Sequence, residues 1–278
     1  MFVAVELFQK KFIRVTTIFL WRCTSKNCTK TFSIRVGTFF DKSKLSIEKI
    51  FKIIYCWVIE LSQLQCSHET GVSQHSLVDW YNFCRDICFD KLSDIHFDSI
   101  GGPGVVVEID ESKFGKRKYN TGKRVDGVWV FGGIERDNKK NCFFVVVNKR
   151  DSRTLLPLIR RYIKPGSTIV SDCWKAYDRI PRLGLNYTHK KVNHRIEYVN
   201  EEGFHTNTIE STWHRLKAFK KTMSKKLIDT YFCEFIFRRH FFTDIDANLR
   251  FSAFLKFITE TYCKEKADEK LREKRLTQ

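Results

Sequence analysis

The chain has 278 residues, of which 42% are hydrophobic, so it is long enough and apolar enough to bury a packed core. This composition excludes a disordered tail. Lys and Arg number 50 against 32 for Asp and Glu, which gives a formal charge of +18 and a sequence pI of about 9.5. Such a surplus of cations is typical of proteins that bind a polyanion, most often nucleic acid, although a membrane surface or simple solubility would also account for it.

The apolar N-terminal stretch, residues 1–21, resembles neither a signal peptide nor a membrane span, because charged residues interrupt it. No other apolar run reaches spanning length, so we expect a soluble, intracellular protein without a membrane partner. The ten cysteines are scattered along a large chain, and Cys56, Cys84 and Cys88 lie in apolar segments. We therefore predict reduced, buried thiols rather than disulfides. The interrupting charges are Glu6, Lys10, Lys11 and Arg14.

Residues 1–44 contain a possible half of a zinc ribbon. Cys23 and Cys28 flank a polar knuckle that is followed by strand-like alternation. A tetrahedral Zn²⁺ site needs four ligands, and no cysteine or histidine precedes Cys23. The segment is interpreted as a partial ribbon, truncated or decayed, or as a pair of unligated thiols. A complete site would need distant ligands such as Cys66 or His68.

Residues 45–100 are predicted to be helical. Ser46 is the expected N-cap of a first helix over residues 47–61, and a turn at Gly71 with a cap at Ser73 introduces a second helix. The pattern is typical of a helix–turn–helix DNA-binding unit, but plain helical hairpins share it, and both interpretations stay open. The predicted buried positions are Ile47, Ile50, Phe51, Ile54, Trp57, Val58 and Leu61 in the first helix and Leu77, Val78, Tyr81, Cys84 and Cys88 in the second.

A Gly- and Pro-rich break, "FDSIGGPG", marks a predicted domain boundary near residue 100. Behind it, three apolar runs separated by polar turns predict an antiparallel meander over residues 105–109, 127–135 and 142–150. A helix over 152–163, a short strand over 167–172 and a helix over 207–221 follow. The order β-β-β-α-β-α predicts a mixed α/β domain over residues 101–245, and residues 246–278 are predicted to form a charged helical tail.

Three acids lie at the ends or edges of these predicted elements: Asp110, Asp172 and Glu210. Each alone has a structural interpretation, for example Asp172 as a helix N-cap and Glu210 as the capping-box partner of Asn207. Three converging carboxylates would repel one another unless a divalent cation lay between them. Hard oxygen ligands suit Mg²⁺ or Mn²⁺, and a two-metal site of this kind performs in-line displacement at a phosphodiester.

Alternation along the first strand predicts which acids share a face. Glu108 and Asp110 point to one face, and Ile109 and Glu111 point to the other. On the last helix of this domain, Lys217 follows two turns after Glu210, where its cation would lie near a phosphate, although a solvated basic face is equally compatible. The polar face of that helix is predicted to hold Glu210, His214, Lys217 and Lys221, and its apolar face Ile209, Trp213 and Leu216.

Four segments together resemble the Merlin superfamily of DNA transposases and its bacterial insertion-sequence relatives with an ISXO2-like catalytic domain. They are "EIDESKFGKRKY", "SDCWKAYD", "VNHRIEYVNEEGFHTNTIESTWHRLK" and "FCEFIFRRHF". The resemblance covers Val105 to about Phe242. Upstream, residues 21–46 resemble the C-terminal part of the family's zinc ribbon, and the helices that follow resemble its helix–turn–helix region.

The resemblance implies a ribonuclease-H-like catalytic core in which Asp110, Asp172 and Glu210 bind Mg²⁺ or Mn²⁺. Lys217 falls at a further motif position. The implied reaction is metal-dependent cleavage at transposon ends followed by strand transfer into target DNA. The implied partners are double-stranded DNA, both terminal repeats and target, and further copies of the chain, in the nucleus if the host is eukaryotic. Also matched are His205, Thr206 and Asn207 before the glutamate, and a basic turn near the DNA backbone at Lys116, Arg117 and Lys118.

Three rival interpretations stay open. The chain is an inactive or domesticated transposase that only binds DNA, a host ribonuclease or repair nuclease of the same fold, or a structural α/β protein. The first keeps the acids without cutting, and only an activity assay separates it from an enzyme. The last leaves the charge unexplained and predicts little salt-dependent DNA binding.

Overall fold

The structure is a computed structural model that describes residues 10–15, 18–23, 30–95, 99–115, 127–193, 203–219 and 225–262. The chain folds into two compact units, residues 1–87 with 246–278 and residues 88–245. The four-segment division predicted from the sequence is finer than this and stays a prediction. Within the described ranges, no helix is both long and apolar enough to cross a membrane.

The first unit combines a small antiparallel sheet, in the strand order β1-β2-β3, with several helices. A C-terminal helix over residues 250–262 belongs to this unit and packs Phe254 against Trp57, with ring centroids 4.6 Å apart. The bounds are β1 Lys10–Val15, β2 Ile18–Cys23, β3 Thr31–Ser33, α1 Ile47–Val58, α2 Gln63–Thr70 and α3 Gln74–Asp94, the last of which begins in this unit.

Both predicted helix starts are confirmed. The Ser46 hydroxyl accepts a hydrogen bond from the Lys49 amide at 3.2 Å, as an N-cap does. The Ser73 hydroxyl accepts one from the Ser76 amide at 3.3 Å. The helices of the predicted DNA-binding region therefore exist, but their role in reading DNA stays a prediction.

Two details of this region differ from the prediction. The short helix α2 was not predicted, because only Cys66 and Thr70 of its eight residues are buried and it has no apolar stripe to detect. Val78 was placed on the buried face of α3 but is 36% exposed. It follows Leu77, which is fully buried, so the buried face of α3 is narrower than the sequence pattern implied.

The cysteine prediction is confirmed in part. Cys56, Cys66, Cys84, Cys88 and Cys142 are buried and form no disulfide among the described residues, but Cys173 is exposed and Cys233 is half-buried, so burial was wrongly predicted for these two. Cys28 lies outside the described residues, as do the side-chain contacts of Cys23. The zinc site therefore stays a prediction.

The second unit is built on a five-stranded mixed sheet in the order β10-β9-β5-β6-β7. The predicted meander is confirmed, since β5 pairs with β6 and β6 with β7 in antiparallel fashion, while β9 joins β5 in parallel. A two-stranded parallel pair of β4 and β8 lies outside this sheet. The bounds are β4 Ile100–Gly101, β5 Val106–Phe114, β6 Val128–Glu135, β7 Cys142–Val147, α4 Ser152–Tyr162, β8 Ile163–Lys164, β9 Thr168–Asp172, β10 Thr188–Val192, α5 Asn207–Phe219 and α6 Ile228–Phe237.

One strand of this sheet was not predicted. β10 pairs with β9 in parallel at the edge of the sheet, and only Val192 of its five residues is buried. Its sequence, "THKKV", lacks the run of apolar residues by which buried strands are detected. An edge strand can be this polar because one side of it faces no partner strand.

The two faces of the sheet are covered differently. On one face, Val107 and Ile109 of β5 belong to a buried cluster with α4 and with the turns that follow β9. On the other face, the cluster is formed by β5, β6, β7, α5 and α6. The members of the second cluster include Phe114, Val130, Ile134, Phe144, Ile209, Trp213, Leu216 and Phe232, which confirms the predicted apolar face of α5.

Candidate active site

Two of the predicted acids lie on neighbouring parallel strands. The pairing of β5 with β9 matches Glu108 with Val170. Continuing this register by two residues sets Asp110 beside Asp172, the last residue of β9. β9 ends at Asp172, whereas β5 continues to Phe114, so the prediction that the first strand ends at Ile109 is wrong and Asp110 lies in mid-strand. The two acids therefore lie on neighbouring strands where β9 ends beside the middle of β5.

Helix α5 brings the third acid to the same face of β5. The Trp213 indole Nε1 donates a hydrogen bond to Asp110 Oδ2 at 3.0 Å, and Lys217 Nζ donates to Ser112 Oγ at 2.5 Å. Glu108 also contacts α5, so residues 108, 110 and 112 all point to this helix, as alternation predicted. Glu210 lies in the first turn of α5 and is exposed.

Burial and neighbouring acids raise the pKa of Asp110. Burial raises the pKa of Asp110 to about 6, and the charges of Asp172 and Glu210 act in the same direction. The Glu111 amide and the Trp213 indole, which donate to Asp110, oppose that rise. We call Asp110, Glu111, Asp172 and Glu210 the carboxylate cluster.

Glu111 points to the opposite face of β5 but belongs to the same electrostatic group. Burial raises its pKa to about 7, and the charges of Asp110 and Asp172 add to that effect. The Tyr177 hydroxyl donates to Glu111 Oε1 at 2.7 Å and opposes the rise, as does the Arg150 guanidinium. Neighbouring carboxyl groups with raised pKa values are typical of functional sites.

The cluster provides the donor chemistry of a divalent-metal site, but not its assembled geometry. In the described part of the chain, no group of three Asp, Glu, His or Cys side chains is arranged to hold an ion. The carboxylate oxygens are the ligands that Mg²⁺ and Mn²⁺ prefer, and a divalent cation would relieve the repulsion that adds to burial in raising the pKa of Asp110. The donor set therefore fits such an ion.

Asp172 does not cap a helix, contrary to the structural interpretation of its sequence position. Its Oδ1 accepts from the Trp174 amide at 3.0 Å, which closes a turn directly after β9. The Trp174 side chain is 45% exposed and donates from Nε1 to the Arg150 carbonyl at 3.2 Å. The Arg150 guanidinium also lies 3.7 Å from the ring centroid of Trp129, so an aromatic and cationic surface adjoins Asp172.

The capping box predicted for Glu210 and Asn207 is also absent. α5 already includes Asn207, and the amides of Thr208 and Ile209 donate to Glu108 Oε2 at 2.9 and 3.1 Å. The Glu210 carboxylate instead accepts from the Thr206 hydroxyl at 3.4 Å. A residue about a hundred positions away along the chain therefore caps this helix.

The remaining predicted DNA-binding residues divide into two groups. His214 is exposed on α5, and Lys217 lies along the same helix with its Nζ 5.5 Å from the Phe114 ring centroid. The others, Lys116, Arg117, Lys118 and Lys221, lie outside the described residues.

Sequence reasoning missed three residues that shape the site: Glu108, Arg136 and Tyr177. Glu108 was placed on the correct face of its strand but was given no role. Arg136 was missed because it lies in a turn that carries no recognisable pattern, and Tyr177 because an aromatic residue in "KAYD" looks like ordinary core. The available signal was the density of acids in "EIDES", because closely spaced acids in a buried strand each need a partner.

Comparisons with known proteins give the family. The sequence model of the ISXO2-like transposase domain matches residues 101–240, just over half of the chain. An uncharacterised transposase-like protein of Haemophilus influenzae is 30% identical over 79 residues, which are 28% of this chain and 62% of that protein. An uncharacterised protein in the transposable element ISH50 of Halobacterium salinarum is 26% identical over 242 residues, 80% of this chain and 79% of that protein. This chain thus spans less than two thirds of the Haemophilus relative.

Solved structures of the Mos1 transposase also resemble the chain. A pre-cleavage Mos1 transpososome matches with a TM-score of 0.29 and 12% identity, over 74% of this chain and 77% of that one. The mariner Mos1 paired-end complex with Mg matches with a TM-score of 0.28 and 13% identity, over 76% of each. The family rests on the sequence matches alone, and the finer assignment to the Merlin superfamily stays a prediction. The chain belongs to the ISXO2-like transposase family.

Proposed function

We propose that the chain is a DDE-type DNA transposase that cleaves phosphodiester bonds at transposon ends and transfers the strands into target DNA. The observation that carries this proposal is the carboxylate cluster. Asp110, Asp172 and Glu210 come from two neighbouring strands and one helix, and burial together with the charges of the other two raises the pKa of Asp110. Carboxyl groups gathered and perturbed in this way are typical of functional sites.

Asp110, Asp172 and Glu210 would hold the divalent cation, Mg²⁺ or Mn²⁺. Such an ion, when bound, activates a water or a 3′-hydroxyl group and stabilises the leaving oxygen of an in-line displacement. The chain's own residues keep the ligands in place. Trp213 fixes Asp110, and the Trp174 amide fixes Asp172.

DNA is the proposed substrate, in the form of terminal repeats and target duplex. The surplus of 18 positive charges supports a polyanionic partner. Lys217, on α5, donates to Ser112, which follows Asp110 on the same face of β5. Its ammonium group would contact a phosphate near the scissile bond. Pairing of two transposon ends would require a homo-oligomer.

The proposed core is ribonuclease-H-like, and the proposed superfamily is Merlin. The strand order, with three antiparallel strands followed by two parallel ones added at β5, supports the first. Both assignments come from the family resemblance, and so does the proposed nuclear location in a eukaryotic host.

The test is cleavage of duplexes that carry the genomic sequence flanking the gene, with Mg²⁺, Mn²⁺ or a chelator. Asp172→Asn keeps an acceptor for the Trp174 amide but removes the charge, so it is expected to abolish cutting while DNA binding persists. The matched control is Asp178→Asn, an exposed acid in the next turn that pairs with Lys191 at 2.6 Å. Salt-dependent binding without metal-dependent cutting by the wild type would instead support an inactive, DNA-binding protein.

A further inference from the structure

Glu108 is a fully buried carboxylate that is surrounded by hydrogen-bond donors. Its exposed fraction is 0%, and it lies two residues before Asp110 on β5. Its Oε2 accepts from the amides of Thr208 and Ile209, in the first turn of α5. These are two of the amides that a helix leaves without an intrahelical acceptor, and a negative charge there also interacts favourably with the helix dipole.

The other oxygen of Glu108 binds the segment that leads into α5. Arg136 Nε donates to Glu108 Oε1 at 3.0 Å, and His205 Nδ1 lies 3.3 Å from the same oxygen. Arg136 also donates from a terminal nitrogen to the His205 carbonyl at 2.7 Å, and its guanidinium lies 5.6 Å from the Phe204 ring centroid. Glu108 and Arg136 therefore hold the entry to the helix against the sheet.

These contacts determine the position of Glu210. The helix is fixed to β5 at its start, through Glu108, and one turn later, through Trp213 and Asp110. Glu210 lies between these two attachment points and directly follows Ile209. A shift of the helix start along β5, or a rotation about the helix axis, would move the Glu210 carboxylate away from Asp110.

We propose that Glu108, held by Arg136, is a positioning residue that sets Glu210 against Asp110 and so completes the divalent-metal site. This inference rests on the proposed function, because Glu210 needs such placement only if the carboxylates share an ion. Glu108 itself is not a ligand, since its two oxygens are occupied by the contacts to α5, Arg136 and His205. Residues that orient metal ligands are needed for affinity even though they do not touch the ion.

The rival explanation is that Glu108 only stabilises the fold, and Glu135 provides a matched control. Glu135 is also a buried glutamate, 8% exposed, on the strand next to β5. It accepts from the Gly101 amide at 2.7 Å and from Asn141 Nδ2 at 2.8 Å, and neither partner belongs to α5. Changing either glutamate to Gln removes a buried charge, but only one change disturbs the helix that carries Glu210.

The experiment compares Glu108→Gln with Glu135→Gln in the full chain by Mn²⁺ binding, measured from the electron paramagnetic resonance signal of free Mn²⁺, together with thermal unfolding. The Glu108→Gln side chain would keep an acceptor for the α5 amides but turn an amide group, or a neutral oxygen, towards Arg136. We expect Glu108→Gln to weaken Mn²⁺ binding by about tenfold or more, and Glu135→Gln to leave it within about twofold. Equal Mn²⁺ affinities in the two variants, or losses that follow only their loss of stability, would overturn the proposal.

A second variant covers the case in which Glu108→Gln does not fold. Arg136→Lys keeps the positive charge but cannot reach both Glu108 and the His205 carbonyl, and it should weaken Mn²⁺ binding by a smaller factor. The Mn²⁺ measurement also separates this proposal from the proposed function. If the wild type binds Mn²⁺ in a way that depends on Glu108 but does not cut DNA, the positioning role of Glu108 is supported and the proposed transposase activity is wrong. A wild type that binds no Mn²⁺ overturns positioning.

Discussion

Glu108 and Asp110 lie two residues apart on one face of β5, and the same helix packs over both, yet their surroundings are opposite. Glu108 meets an arginine, a histidine and two helix amides. Asp110 is buried beside the charges of Asp172 and Glu210, and the Trp213 indole and a backbone amide oppose the resulting rise in its pKa. The first carboxylate is held by a guanidinium and two amides, and the second lies beside other acids.

This difference separates a carboxylate whose charge the fold stabilises from one whose charge the fold opposes, without reference to any relative. A buried charge with complete hydrogen bonding stabilises the contacts that hold it, whereas a buried charge beside other acids opposes folding. Residue type and strand position are nearly the same for the two acids. The register of α5 against β5 makes the difference, because it sets the helix start over Glu108 and the Glu210 turn near Asp110.

The comparison predicts opposite effects on stability when each acid is replaced by its amide. Because the pKa of Asp110 is raised from 3.8 to about 6, its ionisation destabilises the folded chain as the pH rises from about 4 to 6. Asp110→Asn should therefore abolish cleavage and yet raise the free energy of unfolding above about pH 6, by on the order of 2 kcal/mol. Glu108→Gln should lower it at the same pH.

Urea unfolding in chelator at pH values on either side of that window measures both effects. The gain from Asp110→Asn should shrink as the pH falls through this window and approach zero below about pH 3, where the wild-type carboxyl is protonated in both states. A variant less stable than the wild type at neutral pH would break the comparison, since Asp110 would then stabilise the fold as Glu108 does.

Much of this fold was predictable because its pattern is local. The β-branched runs predicted β5, β6 and β7, and alternation gave the correct faces for Glu108 and Asp110. β10 and α2 were missed because neither has enough buried apolar residues to make a periodic pattern. A helix or strand that is stabilised mainly by contacts with other elements has little hydrophobic periodicity in its own sequence.

The site was predictable only in part, for the same reason. Asp172 and Glu210 were singled out because the end of β9 and the start of α5 are visible in sequence, whereas Asp110 was singled out at a strand end that the structure does not have, since β5 continues to Phe114. The capping assignment for Glu210 was wrong because capping rules search within a few residues, whereas the group that caps α5 is Glu108, on the first strand of the meander. No local rule connects residues about a hundred positions apart.

Two adjacent glycines of β6 test whether the surroundings of Asp110 depend on the close approach of α5. A Cβ on Gly132 would lie 2.6 Å from the Trp213 ring, and one on Gly133 would lie 2.5 Å from the Phe143 ring. Both changes to Ala should destabilise the fold by about 1–3 kcal/mol through overpacking. Only Gly132→Ala should also impair cleavage, because it displaces the indole that holds Asp110.

Single-turnover cleavage at a temperature where both variants are folded gives the measurement. We expect Gly132→Ala to be slower than Gly133→Ala by about tenfold, in line with the sensitivity of catalysis to small displacements. Equal rates would mean that Trp213 does not control the position of Asp110.

Lys217 donates to Ser112, the next residue after Asp110 on the same face of β5. Its ammonium group is the cation that follows the acids on this face, and Lys217→Met removes the charge while keeping much of the apolar stem. If this charge contacts a DNA phosphate, the slope of log affinity against log salt should fall by about 1, with a modest loss of affinity. Lys140→Met, at a lysine already paired with Asp244, is the control and should leave the slope unchanged.

His189 contacts Ser171, the residue before Asp172. Its contribution to the free energy of unfolding should change with pH in the direction opposite to that of Asp110. The Ser171 hydroxyl donates to the Asp172 carbonyl at 2.8 Å, so His189 Nε2, at 2.9 Å, donates to that hydroxyl oxygen. Burial lowers the pKa of His189 to about 4, the charge of Lys191 adds to this, and Asp178 opposes it. The unfolded chain therefore takes up a proton near pH 6.5 that the folded chain accepts only near pH 4.

Stability should consequently fall as the pH drops from about 6.5 to 4, by about 1–2 kcal/mol once the partial solvent exposure of the imidazole is allowed for. His189→Gln, which cannot titrate, should flatten this decline in urea unfolding, and His214→Gln, at an exposed position on α5, should not. Protonation of Asp110 and of Glu111, whose pKa values are raised to about 6 and about 7, stabilises the fold over the same range, so the histidine is isolated by comparing His189→Gln with His214→Gln on an Asp110→Asn background. If stability on that background falls as steeply towards acid pH in His189→Gln as in His214→Gln, the folded chain accepts the proton on His189 without a cost in stability. The contacts beside Asp172 would then not depend on a neutral imidazole.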